Sequence, residues 1–151
     1  MRSSTAVILA GAMARLAATS FSMEAALSRI EERAPQRLLE QRARARESIR
    51  QLADGIQVDE QRLAMEVAIQ ADRLDVQEEL SRFGSHVTAF RRSVSDGSND
   101  PVGKRLGFLL QEMLREANTT GSKAYDSSIL ADVVTVKEEL ERIREQVENL
   151  E

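Results

Sequence analysis

The chain has 151 residues and a formal net charge of −4, with no cysteine, no tryptophan and a single histidine. This length suits one domain, and the lack of cysteine excludes disulfide frameworks, zinc–thiolate sites and cysteine nucleophiles. Because the chain is acidic overall, binding to a polyanion requires a local basic surface.

The first segment of the chain contains a short apolar run. Met1-Arg2 followed by Ala6 to Ala14 imitates a secretory signal, but Arg15 comes directly after it and the run is rich in Ala and Gly. The run is also too short to span a bilayer. A signal peptide is therefore the less favoured interpretation, and we expect a cytoplasmic protein with no membrane partner.

A charged helical segment is predicted from Met23 to Leu52, with apolar residues at helical spacing. Pro35 removes a backbone donor and crowds the preceding turn, so we expect a kink or two helices meeting near Ala34. The segment also holds the best local candidates for contact with an RNA backbone, although Glu residues dilute the charge. These candidates are Arg29, Arg33, Arg37, Arg42, Arg44, Arg46 and Arg50.

Two further helices follow. Asp54-Gly55 ends the preceding segment, and Asp59 is placed to cap a second helix. In the third helix, apolar residues alternate steps of four and three, which predicts a narrow seam against a partner helix. This seam comprises Val76, Leu80, Phe83, Val87, Phe90 and Val94.

A loop is predicted over residues 95–103, and a fourth helix is expected to end near Asn118, where Thr119-Thr120-Gly121 breaks it. Ser127 or Ser128 is expected to begin the last helix. Its seam comprises Ile129, Val133, Val136, Leu140, Ile143, Val147 and Leu150. The fold class predicted is all-α, an antiparallel helical bundle with long coiled-coil-like helices.

Polar groups concentrate in the segment FLLQEMLREANTTGSK, from Phe108 to Lys123. Glu112 and Glu116 are one helical turn apart, so both carboxylates could approach one divalent cation. Arg105 and Arg115 fall on the same face and could bind phosphate oxygens in a forked geometry. The remaining side of this helix is an apolar stripe of Leu106, Leu109, Leu110, Met113, Leu114 and Ala117.

Each of these features also has a structural interpretation. On spacing alone, an ion-pair network without function is favoured for the charged residues. Asn118, Ser122 and Lys123 could hold a phosphate or simply end a helix, and the glycine spacing of a Walker loop is absent. His86, the single histidine, could exchange a proton with a 2′-hydroxyl or a leaving oxygen, although a solvent-facing histidine is more common.

The segment PVGKRLGFLLQEMLREANTTGSK resembles the signature of the YicC/YloC family of bacterial endoribonucleases. The segments from Asp59 to Phe90 and from Val136 to Glu151 resemble the same family's carboxy-terminal domain. Coverage runs from Met23 to Glu151, which leaves residues 1–22 as an unmatched amino-terminal segment. Gly107 and Leu114 depart from the acidic residue and the asparagine that are usual in the family.

The resemblance implies cleavage of RNA with a divalent cation, Mn or Mg, and a homo-oligomer that is a hexamer in full-length members. We assign catalytic roles to Glu112, Glu116 and His86, with Glu112 and Glu116 also as metal ligands. The RNA-binding residues predicted are Arg105, Arg115, Asn118, Ser122 and Lys123. Family members begin with a further domain, so a truncated enzyme is expected; the alternative is a non-catalytic helical oligomerisation module.

Overall fold

A computed structural model describes residues 2–95 and 102–149, and none of these residues lies in a strand. The helices are α1 (Arg2–Leu52), α2 (Glu60–Leu74), α3 (Gln77–Ser95), α4 (Val102–Ala124) and α5 (Ser127–Glu148). The predicted all-α fold is confirmed. No helix in the described ranges is long and apolar enough to cross a membrane. Most of the predicted loop before α4, and Leu150, lie outside the described residues.

Helices α1, α3, α4 and α5 form an antiparallel bundle. Helix α1 packs against α3 and α5, and α4 packs against the same two helices on the other side. Ion pairs show that neighbouring helices run in opposite directions, because along each contact the residue numbers rise on one helix and fall on the other. These pairs are Arg29 with Asp132, Arg33 with Asp126, Lys123 with Glu79, and Arg82 with Glu116. The predicted bundle topology is therefore confirmed.

The predicted seams of α3 and α5 supply the core. Phe83 is 2% exposed and Ile143 is 1% exposed, and both pack in one cluster with Met113 of α4. A second cluster continues the core towards the other end of the bundle through Ile30 of α1. Leu114 is the exception in the predicted stripe of α4, because its side chain is 39% exposed.

Helix α1 is continuous for 51 residues, a length of about 75 Å at the usual rise per residue. Pro35 lies inside it, so the predicted meeting of two helices near Ala34 is wrong. A proline within a helix costs about 3 kcal/mol. The burial of Ile30 and Arg37 on either side holds the helix against the bundle and offsets that cost. Helix α1 also runs without a break past residue 22, and Leu16 packs in the core.

The carboxyl end of α1 pairs with α2 to form a two-helix arm, residues 42–74. Asp59 caps α2 as predicted, accepting hydrogen bonds from the backbone amides of Gln61 at 3.0 Å and Arg62 at 3.3 Å. Leu63 and Val67 are buried. The arm therefore has its own small apolar contact beyond the bundle core.

A charged cluster ties α1 to the link between α4 and α5. Arg33 donates to Asp126 Oδ2 at 2.9 Å and to Glu40 Oε1 at 2.8 Å. Burial alone would raise the pKa of Asp126, but hydrogen bonds from Arg33 and from the backbone amide of Ile129 lower it to about 2. Asp126 also caps α5, accepting from the backbone amides of Ser128 and Ile129.

Arg37 is 8% exposed and serves the same link. Its guanidinium donates to the carbonyl oxygen of Ala124 at 3.3 Å and to that of Tyr125. Tyr125 has a φ of 45°, in the left-handed region that lets the chain leave α4 sharply. Arg37 thus satisfies carbonyl groups that the end of α4 leaves without helical partners.

Helix α4 continues to Ala124, so the predicted break at Thr119-Thr120-Gly121 is wrong. The hydroxyls of Thr119 and Thr120 donate to carbonyls four residues back, at 3.0 and 2.8 Å, and stay within the helix. A Cβ at Gly121 would lie 3.3 Å from Cγ1 of Val133. Gly121 is therefore a close-packing position between α4 and α5.

Replacing Gly121 by valine should lower the free energy of unfolding by about 1–3 kcal/mol, because the added atoms overpack the contact with Val133. Gly84→Ala is the matched control, since nothing lies within 4 Å of a Cβ there. It should raise stability by about 0.5–1 kcal/mol through helix propensity. Urea denaturation followed by circular dichroism measures both; equal effects would contradict the packing role of Gly121.

The folded-state pKa of Asp126, about 2 against an ordinary 3.8, makes stability depend on acid. Its contribution is complete above about pH 4 and is lost as the pH falls towards 2. Asp126→Asn should therefore flatten the loss of unfolding free energy over this range and cost about 1–2 kcal/mol at neutral pH. Asp72→Asn, on an exposed face of α2, is the control. Identical pH profiles for the two variants would refute this assignment.

Candidate nucleic-acid interface

Charged side chains line one edge of the contact between α3 and α4. This edge, the charged seam, comprises Glu79, Arg82 and His86 of α3 with Arg105, Glu112, Arg115, Glu116 and Lys123 of α4. The residues of each helix recur at helical spacing, and because the two helices are antiparallel the two rows face each other. The seam thus places charges from distant parts of the sequence side by side.

Two buried carboxylates form the floor of the charged seam. Glu79 is 3% exposed and Glu116 is 2% exposed. Glu79 Oε1 accepts from Lys123 Nζ at 2.6 Å, and Glu116 Oε1 accepts from Arg82 Nε at 3.0 Å. Arg82 Nη2 also lies 3.5 Å from Glu79 Oε1, so one guanidinium joins both carboxylates. Buried charges require such partners, which fixes the cations in place.

The cations lie on the solvent side of these carboxylates. The side chains of Arg82, Arg115 and Lys123 are 47%, 65% and 32% exposed. Arg115 Nη2 lies 2.7 Å from Glu112 Oε2 and 3.4 Å from Glu116 Oε1. Among the described residues, Nε and Nη1 of Arg115 make no hydrogen bond. The seam therefore presents oriented donors of the kind that bind phosphate oxygens.

Glu79 remains charged in spite of its burial. Burial raises its pKa, but the hydrogen bond from Lys123 and the charges of Lys123 and Arg82 leave that pKa below its usual value. The hydrogen bond to Glu116 raises the pKa of Arg82. Glu79 Oε2 is buried and has no hydrogen-bond partner within the described part of the chain. Glu79 and Arg82 are thus both ionised at neutral pH.

The structure brings several predicted site residues together. Glu112, Glu116, Arg115 and Lys123 belong to one network of ion pairs. His86 is half-buried and follows Arg82 by four residues, so it lies one turn further along the same edge of α3.

Other predicted residues are less closely connected. Arg105 is exposed and lies two turns before Glu112 on α4. Asn118 is exposed and lies about 200° around the helix from Glu116, away from the seam. Ser122 donates to the carbonyl of Thr119 at 3.0 Å, because this segment is helical. Residues 118–123 therefore lie in the helix and not in an exit loop, and their role in binding RNA stays a prediction.

Glu79 and Arg82 were missed from the sequence. A usable signal was present, because Glu79 is three residues after Val76 and four before Phe83, both predicted to be in the core. A carboxylate at such a position must be buried and must find a cation. The sequence could indicate that requirement, but the identity of the cation depends on how α3 packs against α4.

The predicted cation between Glu112 and Glu116 stays a prediction. The Arg115 guanidinium already contacts both carboxylates. Within residues 2–95 and 102–149, no group of three or more His, Asp or Glu side chains is arranged to hold a metal. Two carboxylates that already share an arginine do not by themselves fit a divalent cation, which takes six or more oxygen ligands.

Comparisons with known proteins show the family to which the sequence of this chain is similar. Residues 30–151 match the family model described as endoribonuclease YicC-like, C-terminal. A relative from Clostridioides difficile (strain 630) is 49% identical over 94 residues, which cover 62% of this chain and 31% of the relative. A relative from Haemophilus influenzae is 40% identical over 96 residues, 64% of this chain and 33% of the relative. Both are named "Probable endoribonuclease YicC", and the chain spans about a third of their length.

The two predicted catalytic carboxylates should differ in their effect on stability. Glu116→Ala should lower the free energy of unfolding by about 1–3 kcal/mol, because it leaves a buried gap and removes the hydrogen-bond partner of Arg82. Glu112→Ala should cost less than about 1 kcal/mol, since its ion-pair partner Arg115 is 65% exposed and solvent screens the pair. Urea denaturation of both variants measures these free energies, and equal losses would contradict a buried structural role for Glu116.

Proposed function

The chain belongs to the YicC-like endoribonuclease family, in its carboxy-terminal part, and we propose that it supplies the surface on which an endoribonuclease positions an RNA phosphate. The charged seam carries this proposal. Its cations are anchored by buried carboxylates, and Nε and Nη1 of Arg115 make no hydrogen bond within the described part of the chain. Such a surface binds phosphate with little reorganisation.

Arg115 and Lys123 have different proposed roles. Arg115 offers Nε and Nη1 as a fork that matches two phosphate oxygens. Lys123 Nζ, fixed by Glu79 and the Asp75 carbonyl, offers a point charge nearer the junction of α2 and α3. Together they orient a strand along the seam, and Arg82 offsets charge that develops on the phosphate during cleavage.

His86 is the proposed proton-transfer residue. It lies one turn beyond Arg82, on the edge where α3 faces the Glu112 turn of α4. A histidine there can take the proton from an attacking hydroxyl or return one to the leaving oxygen. The Arg115 guanidinium contacts both Glu112 and Glu116, so the proton transfer proposed for His86 does not depend on a cation between them.

A second candidate function is a helical oligomerisation module without catalysis. Exposed apolar side chains favour it, because Leu114, Leu130 and Val134 are 39%, 44% and 54% exposed. Leu114 also borders a groove of about 300 Å³ between α4 and α5. Self-association could cover these groups, as in the hexamer expected for full-length members. This candidate predicts a stable oligomer that leaves RNA intact.

Two single variants should affect RNA binding and RNA cleavage differently. Arg115→Ala should weaken binding of a single-stranded RNA about tenfold, the loss of one charged contact. His86→Gln should retain binding but slow cleavage at least 100-fold, the usual contribution of a general acid or base. Arg144→Ala, which removes an exposed arginine from α5, should change neither. Filter binding and denaturing gels, with Mn, Mg or chelator, give the readouts.

Undiminished binding by Arg115→Ala would contradict the role of the charged seam. Intact RNA in every lane, together with a stable oligomer by light scattering, would favour the oligomerisation module. Cleavage that needs a cation and is lost on Glu112→Gln would support the predicted metal ligand. Circular dichroism of each variant confirms that the helices are retained.

A further inference from the structure

The seven arginines between residues 29 and 50 of α1 divide into two groups. Arg29 lies 2.7 Å from Asp132 of α5. Arg33 binds Asp126, and Arg37 binds backbone carbonyls at the end of α4. These three arginines therefore hold α1 to the bundle.

The other four arginines lie on the arm. Arg42, Arg44 and Arg46 are exposed and make no ion pair or hydrogen bond within the described part of the chain. Arg50 is 54% exposed and lies 3.6 Å from Glu60. Arg42, Arg46 and Arg50 follow one another at four-residue steps, so they form a row on one side of α1 with about 6 Å between neighbours. We call these three residues the arginine row.

One neighbouring carboxylate, that of Glu60, pairs with this row, and it contacts Arg50 alone. The ion pair of Arg50 with Glu60 shows which side of α2 adjoins it. Four-residue steps from Glu60 along that side reach Ala64 and then Ala68, which carry no charge. On α1, Glu47 forms no ion pair within the described part of the chain, and its carboxylate accepts a hydrogen bond from Gln51 at 3.1 Å. Most of the row thus retains its positive charge.

The arginine row lies on the side of α1 that faces α3, and it approaches the charged seam at the base of the arm. Glu24 of α1 pairs with Arg91 of α3 at 2.5 Å, so this side of α1 faces α3. Arg42 follows Glu24 by five helical turns and points to the same side. The two surfaces also approach at one junction, because Lys123 Nζ contacts the Asp75 carbonyl and Asp75 shares a groove with Gln41.

We propose that the arginine row is a second RNA contact, which binds the backbone of the strand that the charged seam positions. This inference rests on the proposed function. A nucleic-acid strand carries a phosphate about every 3.4 Å of helix axis, so a row about 12 Å long meets three or four phosphates. No aromatic side chain lies within the row to stack on a base. The contact is therefore to the backbone and independent of sequence.

The test compares two double variants of the full chain with the same change in charge. Arg42→Glu with Arg46→Glu alters the row, and Arg62→Glu with Arg73→Glu alters the opposite side of the same arm. An unstructured labelled RNA is titrated at several salt concentrations. The row variant should lose affinity roughly tenfold or more. The slope of log affinity against log salt, which is negative, should decrease in magnitude by about 1.4, twice the 0.7 expected for each contact. The control should keep the slope of the unmodified chain.

The outcomes of this titration distinguish a failure of the arginine row from a failure of the proposed function. Equal weakening of both double variants, or full affinity in the row variant, would overturn the arginine row while leaving the charged seam untouched. Failure of the unmodified chain to bind RNA would overturn the proposed function itself. Displacement of the RNA by an acidic polypeptide at equal charge would assign the row to a protein partner and overturn the inference. The Arg42→Gln, Arg46→Gln pair, without charge reversal, should show the same fall in slope.

Discussion

Glu79 and Glu116 lie buried between α3 and α4, and each must be matched by a cation, because an unpaired carboxylate inside a protein costs several kcal/mol. Arg82 and Lys123 meet that requirement from the solvent side. The buried carboxylates thus set the positions of the exposed cations. The same constraint that joins the two helices also prepares the phosphate-binding surface that we propose.

The sequence pattern predicted the structure correctly where the residues of a single helix determined it. The steps of four and three in α3 and α5 predicted their buried seams, and Asp59 predicted a cap. The sequence pattern gave wrong predictions where contacts with another helix determined the structure. Pro35 stays inside α1 because burial on either side offsets its cost, and Gly121 stays inside α4 because its missing side chain lets α5 approach.

The candidate site shows the same division. The spacing of Glu112 and Glu116 correctly placed them near each other, with Arg115 between them. Spacing could not identify Arg82, which comes from another helix and reaches Glu116 across 34 positions of sequence. The arginines of α1 formed one undivided run in the sequence. Only packing separates Arg29, Arg33 and Arg37, which hold the fold, from those that remain exposed.

Photochemical cross-linking of RNA to the full chain, followed by identification of the modified peptides, tests the account most directly. A strand positioned by the charged seam should give cross-links in residues 77–95 and 102–124, because these helices flank its path. It should also give them in residues 42–50 of the arm. Cross-links confined to the outer face of α5, around Arg144, would contradict both the seam and the path along it.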